Sequence, residues 1–198
     1  MNKRRLGLCL ILAGLVLVVA GVGWLGYNLW DSDRAGREAQ QAREVILQYR
    51  QETLTSPDLK DEPLPRGEMP TLEIDGHNYI GTVTLPSLDL ELPVMEDWSY
   101  ANLKLAPCRY AGSIYSEDMV LCAHNYATHF GRLQNLRPGD PVVFTDMDGN
   151  VFSYTVALTD TLAPTAIEEM TAGQWPLTLF TCTLSGRTRV TVRCQWAE

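Results

Sequence analysis

The sequence predicts an all-β domain carried behind a single N-terminal transmembrane helix, and three observations carry that expectation. An uncharged apolar run fills Leu6 to Trp30. Beyond Thr71, short runs rich in β-branched and aromatic residues alternate with turn signals, as in a sandwich or barrel. Hydrophobic residues make up 45% of the 198 and charged residues 20%, a globular composition with room for one domain and an appendage. Neither a disordered chain nor a polytopic membrane protein fits that balance.

The run from Leu6 to Trp30 is long enough to cross a hydrocarbon core of about 30 Å as a helix. Lys3, Arg4 and Arg5 precede it, and Asp31 and Asp33 follow. The positive-inside bias therefore predicts a cytoplasmic tail over 1–5, a span over 6–30 and everything later outside the cell. A cleaved signal peptide would have an apolar region of about 7 to 15 residues ending in small side chains. This run ends in Trp24, Tyr27 and Trp30 instead, as an uncleaved anchor would.

Residues 31–70 read as a helix followed by a linker. Asp33 to Thr53 is rich in Ala, Glu, Gln and Arg, with apolar positions at Val45, Ile46, Leu47 and Tyr49. Those are helix formers, and the mixed charges predict a solvated juxtamembrane helix. Pro57, Pro63, Pro65 and Pro70 then predict a semi-extended spacer, so the folded module is expected over 71–198.

Within that module the expected strands are Tyr79 to Leu85, Leu90 to Val94, Met119 to His124, Pro141 to Asp146, Val151 to Leu158, Leu177 to Cys182 and Thr188 to Trp196. Asp148-Gly149 is a hairpin signal, and Arg137-Pro138-Gly139-Asp140 is a turn leading into a strand. In the last strand Val190, Val192, Cys194 and Trp196 share one face, while Arg189, Thr191, Arg193 and Gln195 share the other. Alternation alone assigns the second face to solvent.

Charge and cysteine usage exclude several functions. With a formal charge of -8, and three of the 16 basic residues in the tail, the exported part has no basic face for nucleic acid. Five cysteines, at 9, 108, 122, 182 and 194, are too few and too irregular for a disulfide scaffold or a paired C-x-x-C zinc site. His124 and His129 are five apart with no Glu between them, which is not the zincin spacing.

What remains is a combination: His124 at the end of one apolar strand, Cys182 at the end of a later one, and Arg189 at the start of the next. A lone strand-end histidine or a lone cysteine is usually structural. Together they supply the parts of acyl transfer. A thiolate attacks a carbonyl carbon, an imidazole relays the proton, and a guanidinium donates to the oxyanion. Arg187 and Arg193 are the competing arginines.

These residues lie in motifs that resemble the sortase family, the membrane-anchored cysteine transpeptidases of Gram-positive bacteria. Thr178-Leu-Phe-Thr-Cys182 is similar to the family's Thr-Leu-x-Thr-Cys signature. Ala123-His124-Asn125 with Phe130 to Asp140 resembles its histidine region, and Arg189-Val-Thr-Val its Arg-led last strand. The resemblance spans about Tyr79 to Trp196 and implies a sortase-like eight-stranded β-barrel with short helices, behind the N-terminal transmembrane helix. It implies His124, Cys182 and Arg189 as catalytic residues, with Thr181 shaping the substrate site.

The resemblance also implies partners: a surface or pilin protein bearing a C-terminal sorting signal similar to Leu-Pro-x-Thr-Gly, and an amine acceptor such as a peptidoglycan precursor or a pilin lysine. No cofactor is expected. Glu168 and Glu169 resemble the acidic calcium sites of some members, but adjacent surface carboxylates are ordinarily only solvated. Asp97-Trp98 falls inside the domain and not ahead of it as a lid would, which disfavours a pilin polymerase. Two other readings of the residues stand beside this one: a cell-wall cysteine peptidase in which water resolves the acyl-enzyme, and an anchored β-barrel binding module without catalysis.

Overall fold

The computed structural model describes residues 3–55 and 68–197. The expected spacer over 56–70 thus lies largely outside the described residues. Helix α1 runs unbroken over Lys3–Thr55. Its N-terminal part is the one helix among the described residues long and apolar enough to cross a membrane, with a mean hydropathy of 2.2 and none of that window buried. The chain divides into two compact units at Arg34 and Ala35, so α1 residues 35–55 belong with the barrel.

That second part of α1 departs from the solvated helix expected. Ala35, Ala39, Ala42, Ile46 and Arg50 are all buried. Their spacing of three and four places them on one helical face. Small alanines let the helix approach closely, and polar anchors complete the contact. Arg50 donates to the Thr82 hydroxyl at 3.1 Å and to the Thr145 carbonyl, and Arg43 pairs with Glu91. Burial lowers the Arg50 pKa, countered by the charge of Asp146. Asp146 is itself fully buried and accepts from the Tyr115 hydroxyl at 2.6 Å and from the Asn150 side-chain amide at 2.8 Å.

Among the described residues nine strands follow: β1 (Leu72–Ile74), β2 (His77–Leu85), β3 (Leu90–Met95), β4 (Cys108–Ala111), β5 (Met119–Ala123), β6 (Pro141–Asp146), β7 (Val151–Leu162), β8 (Leu177–Cys182) and β9 (Arg189–Trp196). A single-turn helix α2 (Ile167–Thr171) sits between β7 and β8. The hydrogen-bonded order is β1-β2-β3-β4-β5-β8-β9-β7-β6, and β6 pairs back onto β2. Eight strands therefore close a barrel, and β1 hangs on β2 as a short extra hairpin arm. The closing seam needs Gly81, where an added Cβ would lie 2.3 Å from the Thr145 carbonyl oxygen.

Strands β6 and β8 fall where the sequence predicts. The expectation missed β1 and β4, which have three and four residues and no alternation to read, and it ended β7 four residues early. It also misassigned one face of β9. Val190, Val192 and Cys194 are in the core as expected, but Thr191 and Arg193 opposite are buried too. Helix α2 covers that side: Arg193 donates to the carbonyls of Met170 at 3.2 Å and Glu169 at 2.8 Å, and to the Thr178 hydroxyl at 3.0 Å.

Candidate active site

Three neighbouring strands converge on one end of the barrel. β5 and β8 run parallel with Ala123 beside Thr181, and β8 and β9 run antiparallel with Cys182 directly opposite Arg189. His124 is the next residue after β5, Cys182 the last of β8 and Arg189 the first of β9. Residues 58 and 65 positions apart in the chain are thus brought to one edge by register alone. The Thr181 hydroxyl stitches the first two strands there, donating to the Ala123 carbonyl at 2.9 Å from a buried position. Its hydroxyl is used within the sheet, which makes Thr181 a brace under the site.

The four cysteines of the barrel differ sharply. Cys182 is exposed and free, whereas Cys108, Cys122 and Cys194 are free but buried. Burial pushes the thiols of Cys108 and Cys194 up to about 12 and raises that of Cys122 further, so these three stay protonated and inert. Cys108 and Cys122 face each other across β4 and β5 without a bond.

His124 is half-buried at the mouth of this edge. Its Nδ1 accepts from the backbone N–H of Asn125 at 3.0 Å. The Asn125 side-chain oxygen lies 3.0 Å from the same Nδ1, so Asn125 offers a donor to an unprotonated Nδ1 and an acceptor to a protonated one. His129 is fully buried, makes no hydrogen bond of normal geometry through either ring nitrogen, and has its pKa pushed down by burial to about 4. His77 lies at the start of β2, away from the β5–β8–β9 edge.

Arg189 folds its guanidinium onto the β8–β9 turn, where Nη1 donates to the Gly186 and Thr188 carbonyls at 3.2 Å each. The turn is closed by Thr183 N–H to the Thr188 carbonyl at 3.0 Å and Gly186 N–H to the Thr183 carbonyl at 2.8 Å. Arg193, opposite Thr178 and four residues along, is committed to holding α2, and Arg187 lies exposed in the turn. Of the three arginines, Arg189 alone sits across from the exposed thiol.

Cys182 and Arg189 open onto a largely apolar groove whose other walls include Trp98, Tyr110, Phe180 and Ile167. The aromatic wall is a connected series. Trp98 and Tyr110 have centroids 5.5 Å apart, and Tyr110 meets Phe180 edge to face at 5.2 Å. Of these residues the sequence marks Trp98 alone, with Asp97 as a pair inside the domain and not as part of a groove; the outward position of Phe180 on β8, between inward Leu179 and Thr181, is a further signal it carries. A concave, mostly apolar cleft beside reactive groups has the character of a ligand site. Glu168 and Glu169 stand exposed on α2, and the described residues hold no group of three or more His, Cys, Asp or Glu side chains able to share a metal ion.

Several known proteins are similar to this chain. Residues 83–197 match the family model described as the sortase domain. The chain is 26% identical to sortase A of Bacillus anthracis, over 92% of this chain and 89% of that protein. Among solved structures, sortase C1 from Streptococcus suis is 26% identical with a TM-score of 0.52, covering 62% of this chain and 74% of that one. Sortase A from Corynebacterium diphtheriae is 17% identical with a TM-score of 0.56, covering 86% and 92%, a likeness of fold.

Proposed function

This chain belongs to the sortase family of cysteine transpeptidases, and on that premise we propose that Cys182, His124 and Arg189 carry out its acyl transfer on a sorting signal similar to Leu-Pro-x-Thr-Gly. The observation that supports this reading is the register that lines up an exposed thiol, an imidazole and a guanidinium at one end of β5, β8 and β9. The apolar groove holds the Leu-Pro end of the peptide in an extended form.

Cys182 attacks the Thr carbonyl as the thiolate, forming a C–S bond and a tetrahedral oxyanion to which Arg189 donates. The oxyanion collapses with cleavage of the Thr–Gly C–N bond, and His124, the imidazolium that holds the Cys182 thiol proton, gives its Nε2 proton to the departing amine and is left neutral with its hydrogen on Nδ1 toward the Asn125 side-chain oxygen. A thioester remains on Cys182. An acceptor amine, from a peptidoglycan precursor or a pilin lysine, then attacks that carbonyl while His124 takes its proton. The thiolate leaves and the enzyme is restored. Thr181 fixes the spacing of β5 and β8 under the two reacting side chains. In this reading residues 1–5 lie in the cytoplasm, the apolar part of α1 anchors the chain in the membrane, and the barrel works at the cell surface.

Sorting-type peptides offered to the full-length chain with an amine acceptor test the proposal. Ligated product and a thioester adduct on Cys182 are expected, and Cys182→Ala should yield neither. His124→Ala should also stop turnover. Free acid as the sole product at saturating amine would mark a peptidase instead. Product formation by Cys182→Ala would remove Cys182 from the mechanism.

A further inference from the structure

The loop that leaves β5 is wound so that an aromatic ring lies flat against the His124 imidazole. The rings of Tyr126 and His124 are stacked, with centroids 4.2 Å apart and planes 7° from parallel. Behind Tyr126 stands His129, edge to face at 5.5 Å and fully buried. The three rings therefore run in the order His124, Tyr126, His129, the last of them in the buried interior.

Hydrogen bonds within the loop impose this order. The Tyr126 carbonyl accepts from the N–H groups of His129 at 3.0 Å and Gly131 at 2.9 Å, and the His124 carbonyl accepts from Phe130 at 3.3 Å. The turn is so tight that a Cβ at Gly131 would lie 2.4 Å from the Asn125 carbonyl oxygen and 2.7 Å from that of Tyr126. Helix α1 braces the outside, where a Cβ at Gly36 would come within 3.0 Å of the Thr128 side chain.

Rotation of a histidine ring about its last torsion is broad and weakly hindered. The contacts of Nδ1 with the Asn125 N–H and side-chain oxygen hold one edge of the ring, and an edge held at a single atom leaves the plane free to rock. A flat ring packed against the imidazole removes that freedom. Resting on the assignment of His124 as the proton-transfer group, we propose that Tyr126 is a positioning residue, whose ring, backed by His129, sets the plane of His124 so that Nε2–H points at the reacting atoms beside Cys182. The stack is a property of the loop and exists before any substrate binds.

The test uses the full-length chain in detergent micelles with its three histidines isotopically labelled in the ring. In the wild type and in Tyr126→Phe, the ring current of the stacked neighbour should hold the His124 ring-proton resonances upfield. Tyr126→Leu should return them toward those of an unstacked histidine, while the His77 resonances on β2 stay fixed and report an intact barrel. Because a misplacement of about 1 Å can cost on the order of a hundred-fold in rate, kcat in Tyr126→Leu should fall by about ten- to a hundred-fold. KM should change less than about two-fold, and Tyr126→Phe should stay within about three-fold of wild type in kcat. Should Tyr126→Leu fail to fold, Tyr126→Met, which also lacks a flat ring, carries the same comparison. An unstacked His124 with undiminished kcat would overturn the proposal, as would a raised KM at unchanged kcat, which marks a substrate contact. Full turnover by His124→Ala would locate the error in the assignment of His124, and the role of Tyr126 would fall with it although the stacking signature persisted.

Discussion

Burial of His129 makes the barrel acid-sensitive, and the size of the effect follows from its surroundings. The ring is fully buried, and desolvation lowers its pKa from the ordinary 6.5 to about 4, with the Ala35 backbone pulling slightly the other way and the nearby His124 adding to the depression. The unfolded chain takes up a proton near pH 6.5 while the folded chain does not until about pH 4. The stability contributed by a neutral His129 is therefore complete above pH 6.5 and is lost as pH falls toward 4. From pH 7.5 to 4.5 the linkage amounts to about 2.5 kcal/mol for this one group. For a chain of this length that is a fall in Tm of about 5 to 10 °C. Thermal unfolding of the full-length chain in a non-ionic detergent, at half-unit pH steps, measures it. His129→Phe keeps an aromatic ring against Tyr126 but cannot titrate. The many surface carboxylates contribute equally to both proteins, so the quantity of interest is the difference between the two curves. Wild type should lose the additional roughly 5 to 10 °C between pH 7.5 and 4.5, and parallel curves would falsify the argument from burial.

Two further outcomes separate holding the site from performing the reaction. Arg193→Ala strips partners from the Met170 and Glu169 carbonyls and the Thr178 hydroxyl, so it should lower stability by about 2 to 4 kcal/mol in urea unfolding. Arg189→Ala, and Arg189→Lys because lysine lacks the planar fork, should instead leave the unfolding midpoint nearly in place. The alanine variant should cost turnover a factor of about a hundred to a thousand, and the reverse pattern would mean that the roles of the two arginines are exchanged. Gly131→Ala must push the Asn125 and Tyr126 carbonyls apart, so kcat should drop at least about ten-fold with the barrel still folded. Unchanged kcat there would mean that the loop adjusts without moving His124.

The three side chains of the candidate site could be singled out in the sequence because each sits at a strand end whose signature is local. Thr178-Leu-Phe-Thr-Cys182 contains its own alternation and its own stop, and Arg189 follows after a short turn, so one stretch of sequence specifies both the pairing of β8 with β9 and the facing of Cys182 and Arg189. The adjacency of β5 and β8 is different in kind. Those strands pair parallel across more than fifty intervening residues, and only the complementary chemistry of the two side chains and the motif resemblance joined His124 to Cys182 before the structure paired their strands. The buried face of α1 and the second buried face of β9 escaped for a common reason. On α1 the packed positions are Ala35, Ala39, Ala42 and Arg50 around a single Ile46, and on β9 they are Thr191 and Arg193. Small, hydroxylated or charged side chains carry little hydropathy, so their burial is written in what covers them and not in what they are. Alternation tells which residues share a face of β9; whether water reaches that face depends on α2, whose carbonyls accept the Arg193 guanidinium. The same separation applies at His124. A motif names the imidazole, while its plane is set by Tyr126, which no periodicity marks because the loop that carries it is held by carbonyls, a glycine and the small residues of a helix some ninety positions earlier.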